Sequence, residues 1–192
     1  MERRKTGWIL LGISLGMLVP VLMYPSYFCR LSGIPDAGEI GATAWVLSAL
    51  VAGGYILYTF WAVPFVRSMQ SELSALKAIG IVAAFASGLL EEVVFRKMLM
   101  DWLGEQGAEV ITQVAVSSIT FGVAHSSWAA LRGEFRIVLP VVASTAALGA
   151  VLAMLYLASG RNVLPCVVAH VAINLVIEPW LILAAVSGKW HR

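Results

Sequence analysis

The sequence of 192 residues is poor in charge, and this scarcity excludes most classes of soluble protein. Only 12% of the residues are Asp, Glu, Lys or Arg, whereas 60% are apolar; an average soluble domain has roughly 25% charged residues. The 13 basic and 11 acidic residues leave a net charge of +2, so no excess of one sign indicates a nucleic acid or an acidic partner. We exclude a soluble globule, a disordered chain and a nucleic-acid-binding module, and we predict an integral membrane protein.

Cysteine is scarce as well. Cys29 and Cys166 are the two cysteines of the chain, and they form no CxxC pair or other metal-type spacing. We expect each to be a buried thiol. A disulfide between the two is the alternative. The chain also lacks an HExxH sequence, an internal repeat and a low-complexity tract, so neither a zincin nor a repeat array is indicated.

Long apolar runs take the place of the missing charge. A transmembrane helix needs about 20 mostly apolar residues, and the pattern predicts an all-α, polytopic membrane bundle of about six transmembrane helices. Pro64 should end the second helix, and Pro179 should kink the sixth. The predicted spans are 7–29, 40–66, a third that begins near residue 78 and meets charged residues after 90, 110–131, 137–159 and 163–187. We divide the chain into two N-terminal helices with their loops at 1–77, a core of about four helices at 78–187 and a short tail at 188–192.

The loop lysines and arginines predict the orientation, because cytoplasmic loops carry an excess of them. With the N-terminus in the cytoplasm, nine of the 13 basic residues lie inside, namely Arg3, Arg4, Lys5, Arg67, Lys77, Arg132, Arg136, Lys189 and Arg192. Four lie outside: Arg30, Arg96, Lys97 and Arg161. We therefore predict that both termini are cytoplasmic.

Ionisable residues inside membrane helices are costly, so each is a candidate functional residue. The first group is Glu91-Glu92-Val-Val-Phe-Arg96. Glu92 and Arg96 share a helix face and can pair, whereas Glu91 lies about 100° around the helix and can point into a cavity. The alternative is a plain helix end, with the charges in the headgroup region.

Two further groups lie on later helices. The second is Phe121-Gly-Val-Ala-His125, in which Phe121 precedes the histidine by one turn. The third is His170-Val-Ala-Ile-Asn174, which presents two hydrogen-bonding side chains on one face. The alternatives are a histidine that satisfies an interhelical hydrogen bond and a polar clasp between helices. We assign Ser117 and the neighbouring serines to helix packing, and Glu178 to a cavity or an interface.

Depth along the helices indicates that the three groups converge in one layer. A carboxylate beside a neutral histidine can accept the proton of a water molecule, and a second histidine with an asparagine can stabilise an oxyanion. Together these groups suffice for amide hydrolysis without a covalent enzyme intermediate. Zinc is an alternative, since a glutamate and two histidines can hold it with a water as fourth ligand.

The three groups resemble the motifs of the CAAX protease and bacteriocin-processing (CPBP, or Abi) family of intramembrane proteases. Glu91-Glu92-x-x-x-Arg96, Phe121-x-x-x-His125 and His170-x-x-x-Asn174 occur in the family's order. The resemblance covers roughly 78–186.

The resemblance implies a glutamic-type intramembrane endopeptidase. By it, Glu91 is the general base on water, assisted by His125, while His170 and Asn174 form the oxyanion site. Glu92, Arg96 and Phe121 shape the site. The resemblance favours a mechanism without a metal or other cofactor, zinc being an older interpretation for the family.

The expected partners are the lipid bilayer and a membrane protein or peptide substrate, with no nucleic acid. The distribution of lysine and arginine places the predicted cavity towards the outer side of the membrane. We therefore expect an exported or membrane-anchored substrate in a prokaryotic plasma membrane. Processing of a prenylated CAAX protein is an alternative. A non-enzymatic immunity factor or scaffold and a small transporter are the rivals from other classes, and the transporter would call for repeated halves that the sequence lacks.

Overall fold

The computed structural model describes residues 2–127 and 138–189, and every regular element in these two ranges is helical. The all-α prediction is therefore confirmed. The helices are α1 (Glu2–Met23), α2 (Pro25–Leu31), α3 (Ala42–Ala62), α4 (Pro64–Ser68), α5 (Ala75–Glu92), α6 (Leu99–Glu105), α7 (Val110–Ala124), α8 (Val138–Ala158), α9 (Leu164–Ile177) and α10 (Trp180–Ser187). A π-helical segment, Val93–Met98, joins α5 to α6, and a short 3₁₀ turn, Ala37–Glu39, precedes α3.

Four helical segments are long and apolar enough to cross a membrane, and α9 with α10 forms a fifth if the bent pair counts as one span. The four are Glu2–Met23, Ala42–Ala62, Ala75–Glu105 and Val138–Ala158. The predicted count of six is thus not confirmed. The helix that accounts for the difference between six and five spans is α7, which has only 15 residues. The predicted fourth span ends at residue 131, which lies outside the described residues.

Prolines break the helices where the sequence predicts. The second span ends at Ala62, two residues before Pro64, since proline disfavours a helical conformation in the residue before it. Pro179 separates α9 from α10, whose axes differ by 52°. The two cysteines are free: Cys166 is buried, as predicted, whereas Cys29 is exposed in the chain, so the expectation of a buried thiol is wrong there.

Two antiparallel helix pairs build the core. Helix α5 packs on α9, and α7 packs on α8. Small residues allow both contacts: a Cβ at Gly88 would lie 3.0 Å from the backbone nitrogen of Val171, and one at Gly122 would lie 2.7 Å from the carbonyl oxygen of Val142. Close backbone approach at small residues is the usual basis of helix association in membranes.

The remaining helices complete the bundle around these pairs. Helix α1 packs on α5, and α3 packs on α9. At one end, Arg3 pairs with Glu72; at the other, the Asn162 side chain donates a hydrogen bond to the carbonyl of Gly33 at 3.2 Å. The first contact joins the start of α1 to the segment before α5, and the second ties the loop between the two N-terminal spans to the part of the chain that carries the three motifs.

Candidate active site

A cavity of about 610 Å³ lies between the helices, and all three motifs contribute to its wall. The lining is mainly apolar and comes from α1, α3, α5, α7, α8, α9 and α10. Its carboxyl, imidazole and amide side chains, among the described residues, are Glu91, His125, His170, Asn174 and Glu178. We call the set formed by Glu91, Glu92, Arg96, His125, His170 and Asn174 the cavity cluster. An apolar pocket with a few convergent polar groups is the usual form of a small binding or active site.

Glu92 joins α5 to α9. The carboxylate and the Arg96 guanidinium beside it are both fully buried, and Arg96 Nε lies 3.1 Å from Glu92 Oε2 in an ion pair that lacks the angle of a hydrogen bond. The other carboxylate oxygen, Oε1, accepts a hydrogen bond from His170 Nδ1 at 2.8 Å. The predicted Glu92–Arg96 pair is present, and His170 is its third member.

The π-helical segment after Glu92 gives Arg96 a further partner. Widening of a helix by one residue shifts the backbone hydrogen bonds, and the Phe95 carbonyl accepts a hydrogen bond from Ser117 Oγ at 2.9 Å. The same hydroxyl oxygen accepts a bond from Arg96 Nη1 at 2.7 Å. Ser117 therefore positions Arg96 as well as packing between the helices.

Phe121 is the aromatic centre of the site. It is fully buried, and the Arg96 guanidinium lies 4.8 Å from the ring centroid, within the range of a cation–π contact. The rings of His125 and His170 lie 4.5 Å and 5.7 Å from it. Phe121 thus sets the distance between the two histidines by contact with both.

His125 follows the last residue of α7 and faces Glu91. Its Nδ1 lies 2.8 Å from the Phe121 carbonyl oxygen, which can only accept, so the proton of the neutral ring is on Nδ1 and Nε2 is an acceptor. Nε2 lies 3.7 Å from Glu91 Oε2. This separation is too long for a direct hydrogen bond, and two acceptors that face each other call for a donor between them. A water molecule supplies two such donors.

His170 and Asn174 flank Glu91 from α9. His170 Nε2 lies 3.9 Å from Glu91 Oε2, and both side chains of this pair are largely buried. Asn174 donates one hydrogen bond from Nδ2 to Ser87 Oγ at 3.0 Å, which leaves its second N–H for another acceptor. Ser87 lies one turn before Glu91 on α5, so the same helix face holds the carboxylate and orients the amide.

Within residues 2–127 and 138–189, no group of three or more His, Cys, Asp or Glu side chains has the geometry of a metal site. Glu91, His125 and His170 are the residues that the zinc alternative names. The Nε2 atoms of the two histidines lie 3.7 and 3.9 Å from Glu91 Oε2. The other ring nitrogen of His170, Nδ1, already forms a hydrogen bond with Glu92.

The three motifs meet at the cavity as the sequence predicts, and Glu178 also lies on its wall. Two contributors were missed. Ser87 is four residues before Glu91 and could have been found from this i, i+4 spacing. Ser117 is four residues before Phe121, but its contact with Arg96 depends on the packing of α7 against the π-helical segment, which no local pattern reports.

Comparison with known families agrees with this geometry. The family model for the type II CAAX prenyl endopeptidase, Rce1-like, matches residues 73–176, which is more than half of the chain and includes every motif residue. The chain belongs to this family. As an Rce1-like protein, it is an integral membrane protease whose substrates are membrane-associated proteins. No curated protein and no solved structure matches the chain at a significant level.

Proposed function

We propose that this Rce1-like protein is a glutamic-type intramembrane endopeptidase that hydrolyses a peptide bond by activated water. The observation that carries the proposal is the environment of the Glu91 Oε2 atom. This oxygen is buried, has no hydrogen-bond partner in the described part of the chain, and faces the Nε2 atoms of two histidines across gaps of 3.7 and 3.9 Å. A buried polar atom without a partner is costly unless a solvent molecule or substrate completes it.

Water activation follows from the two acceptors. A water molecule between Glu91 and His125 donates one hydrogen to Oε2 and the other to Nε2, and its lone pairs then point away from both. As the water oxygen attacks the peptide carbonyl carbon, Glu91 accepts the proton. His125 holds the water in place through the second hydrogen. Positioned proton transfer of this kind contributes about 10²- to 10⁴-fold to the rate.

His170 and Asn174 are the proposed oxyanion donors. Because His170 Nδ1 donates to Glu92, its Nε2 can donate only when the ring is an imidazolium, a state that the two neighbouring carboxylates stabilise. Asn174 offers the N–H that Ser87 does not use. The tetrahedral intermediate then collapses, the C–N bond breaks, and the proton on Glu91 passes to the leaving amine.

Glu92, Arg96 and Phe121 are proposed as site-shaping residues. Phe121 contacts the rings of both histidines, Glu92 fixes the ring of His170 by a hydrogen bond, and Arg96 pairs with Glu92. Glu92 and Arg96 are fully buried. We propose that no metal or other cofactor takes part.

For the substrate and the orientation, we propose an exported or membrane-anchored protein in a prokaryotic plasma membrane, with both termini of the protease in the cytoplasm. The distribution of lysine and arginine, counted over six spans that include α7, supports this orientation. A reporter fused after Arg192 should be cytoplasmic. An extracytoplasmic reporter would contradict the orientation and favour a cytosolic, CAAX-type substrate.

The test of the activity is a comparison of protein termini in host membranes by mass spectrometry. Membranes with wild type, Glu91→Gln and the control Glu105→Gln, at matched abundance, should differ in one way: new termini form with wild type and the control only. Glu105 ends α6, away from the cavity. Identical termini in all three membranes, with Glu91→Gln folded, would favour a non-enzymatic immunity or scaffold role.

A further inference from the structure

Glu178 is a carboxylate on the cavity wall that the proposed chemistry does not use. It lies at the break between α9 and α10 and lines the same cavity as Glu91. It is also outside the residues 73–176 that match the family. Among the residues that the structure describes, no side chain forms a hydrogen bond or an ion pair with its carboxylate, whereas its backbone carbonyl is bonded.

The backbone around Glu178 is held firmly by α5 and the segment before it. Lys77 Nζ donates hydrogen bonds to the carbonyls of Glu178, at 3.0 Å, and of Leu175. Gln70 Nε2 donates to the carbonyl of Val176 at 3.1 Å. A Cβ at Gly80 would lie 2.9 Å from the backbone nitrogen of Pro179, so α5 lies directly against the break. These contacts fix the place from which the Glu178 side chain reaches the cavity.

The Glu178 carboxylate has no cation of its own among the described residues. Arg96 pairs with Glu92, His170 lies between Glu92 and Glu91, and Lys77 binds backbone carbonyls. No lysine or arginine is among the described residues that line the cavity. A carboxylate without a partner in a low-dielectric environment is costly, and a cationic group in the cavity would compensate it.

We propose that Glu178 is a specificity-determining residue that binds a cationic side chain, Lys or Arg, of the substrate. The proposal rests on the proposed function, because it assigns a place in the same cavity. His170 and Ile177 are seven helical residues apart, which is about 10 Å along the axis of α9. An extended peptide advances about 3.3 Å per residue. The cationic residue should therefore lie about three positions from the bond that is cut.

The first experiment reads the sequence around each cut. Termini that depend on Glu91 are collected from host membranes with wild type, Glu178→Gln and the control Glu105→Gln. We expect Lys or Arg about two to four residues from the cuts made by wild type and the control, and about a tenfold lower yield at these sites with Glu178→Gln, the size of one lost charge-assisted hydrogen bond. Glu178→Asp, which keeps the charge, should retain the preference. Cuts without a nearby cationic residue, or a preference that Glu178→Gln leaves unchanged, would overturn the proposal.

A binding experiment separates this proposal from the proposed activity. Decylamine and decanol, which share one alkyl chain, are added to purified Glu91→Gln protein and to Glu91→Gln/Glu178→Gln in detergent. We expect decylamine to raise the melting temperature of the single variant more than that of the double variant, and decanol to act equally on both. An equal effect of decylamine on both would overturn the assignment of Glu178. If no Glu91-dependent termini exist, the proposed activity fails while this measurement still decides whether Glu178 binds a cation.

Discussion

The cavity cluster and a second polar cluster both combine carboxylates, cations and an amide, but of these two only the cavity cluster has buried polar atoms without a hydrogen-bond partner among the described residues. The second cluster, which we call the Asp101 cluster, consists of Lys97, Asp101, Gln113, Tyr156 and Arg161. Asp101 accepts hydrogen bonds from Tyr156 at 2.8 Å and Arg161 at 2.7 Å and pairs with Lys97 at 2.9 Å.

The rest of the Asp101 cluster is equally complete. Arg161 also donates to Gln113 at 2.7 Å, and Gln113 donates to the Ala108 carbonyl at 2.8 Å. In the cavity cluster, by contrast, Glu91 Oε2 and Arg96 Nη2 are buried and find no hydrogen-bond partner among the described residues. A network whose buried members are all bonded stabilises a fold, whereas a buried polar atom without a partner can be completed by a water molecule or a substrate. We propose that this difference separates a structural cluster from a catalytic one.

The largest expected effect is on rate and belongs to the cavity cluster. His125→Ala should lower the yield of new termini per folded molecule about 10²- to 10⁴-fold, because it removes the acceptor that orients the water in the proposed mechanism. The melting temperature should stay close to that of wild type, since the only hydrogen bond of the ring within the described residues is to the Phe121 carbonyl in its own helix turn. A wild-type rate in His125→Ala would show that the ring only packs on Phe121.

The next effect combines stability and rate. Arg96→Met leaves Glu92 as an unpaired buried charge and should cost about 3–5 kcal/mol of unfolding free energy, as well as the activity. Adding Glu92→Gln removes that charge and should recover most of the stability without recovering the activity. Thermal unfolding in detergent, followed by circular dichroism, measures the first quantity. A double variant no more stable than Arg96→Met would contradict the ion-pair interpretation.

The Asp101 cluster should respond in stability alone. Asp101→Asn weakens the bonds from Arg161 and Lys97, and because these side chains are partly exposed, the expected cost is only about 1–2 kcal/mol. The same unfolding experiment measures this cost. A loss as large as that of Arg96→Met would mean that the two clusters do not differ as we describe.

The smallest expected effect is that of metal removal. Dialysis of the purified protein against EDTA and 1,10-phenanthroline should leave the yield of new termini unchanged, because in the proposed mechanism proton transfer to Glu91 supplies the nucleophile. Elemental analysis of the same sample is the control. Activity that falls with the chelator and returns with stoichiometric zinc would favour the zinc alternative instead.

Much of the cavity cluster follows from local spacing. The i, i+4 intervals predict that Glu92 pairs with Arg96, and the 100° offset of Glu91 predicts that it faces a cavity; the ion pair and the cavity lining confirm both. The scarcity of charge likewise predicts a helical membrane protein. These features depend on helix geometry and on the cost of charge in lipid, both of which a sequence carries residue by residue.

The remaining features depend on packing between distant segments. The Glu92–His170 hydrogen bond joins residues 78 positions apart and requires the close approach of α5 and α9 at Gly88. The contacts of Ser117 with Arg96 and with the Phe95 carbonyl likewise require that α7 packs against the π-helical segment after α5. The number of spans was predicted from apolar runs alone, which do not report that α7 is short.

One measurement tests the distinction between the two clusters most directly. The yield of new termini per folded molecule and the melting temperature are determined together for wild type, Glu91→Gln and Asp101→Asn in the same membranes. We predict that Glu91→Gln loses the termini and keeps its melting temperature, while Asp101→Asn melts earlier and keeps its termini. Full activity in Glu91→Gln, or equal loss of termini in both variants, would contradict the assignment of the chemistry to Glu91.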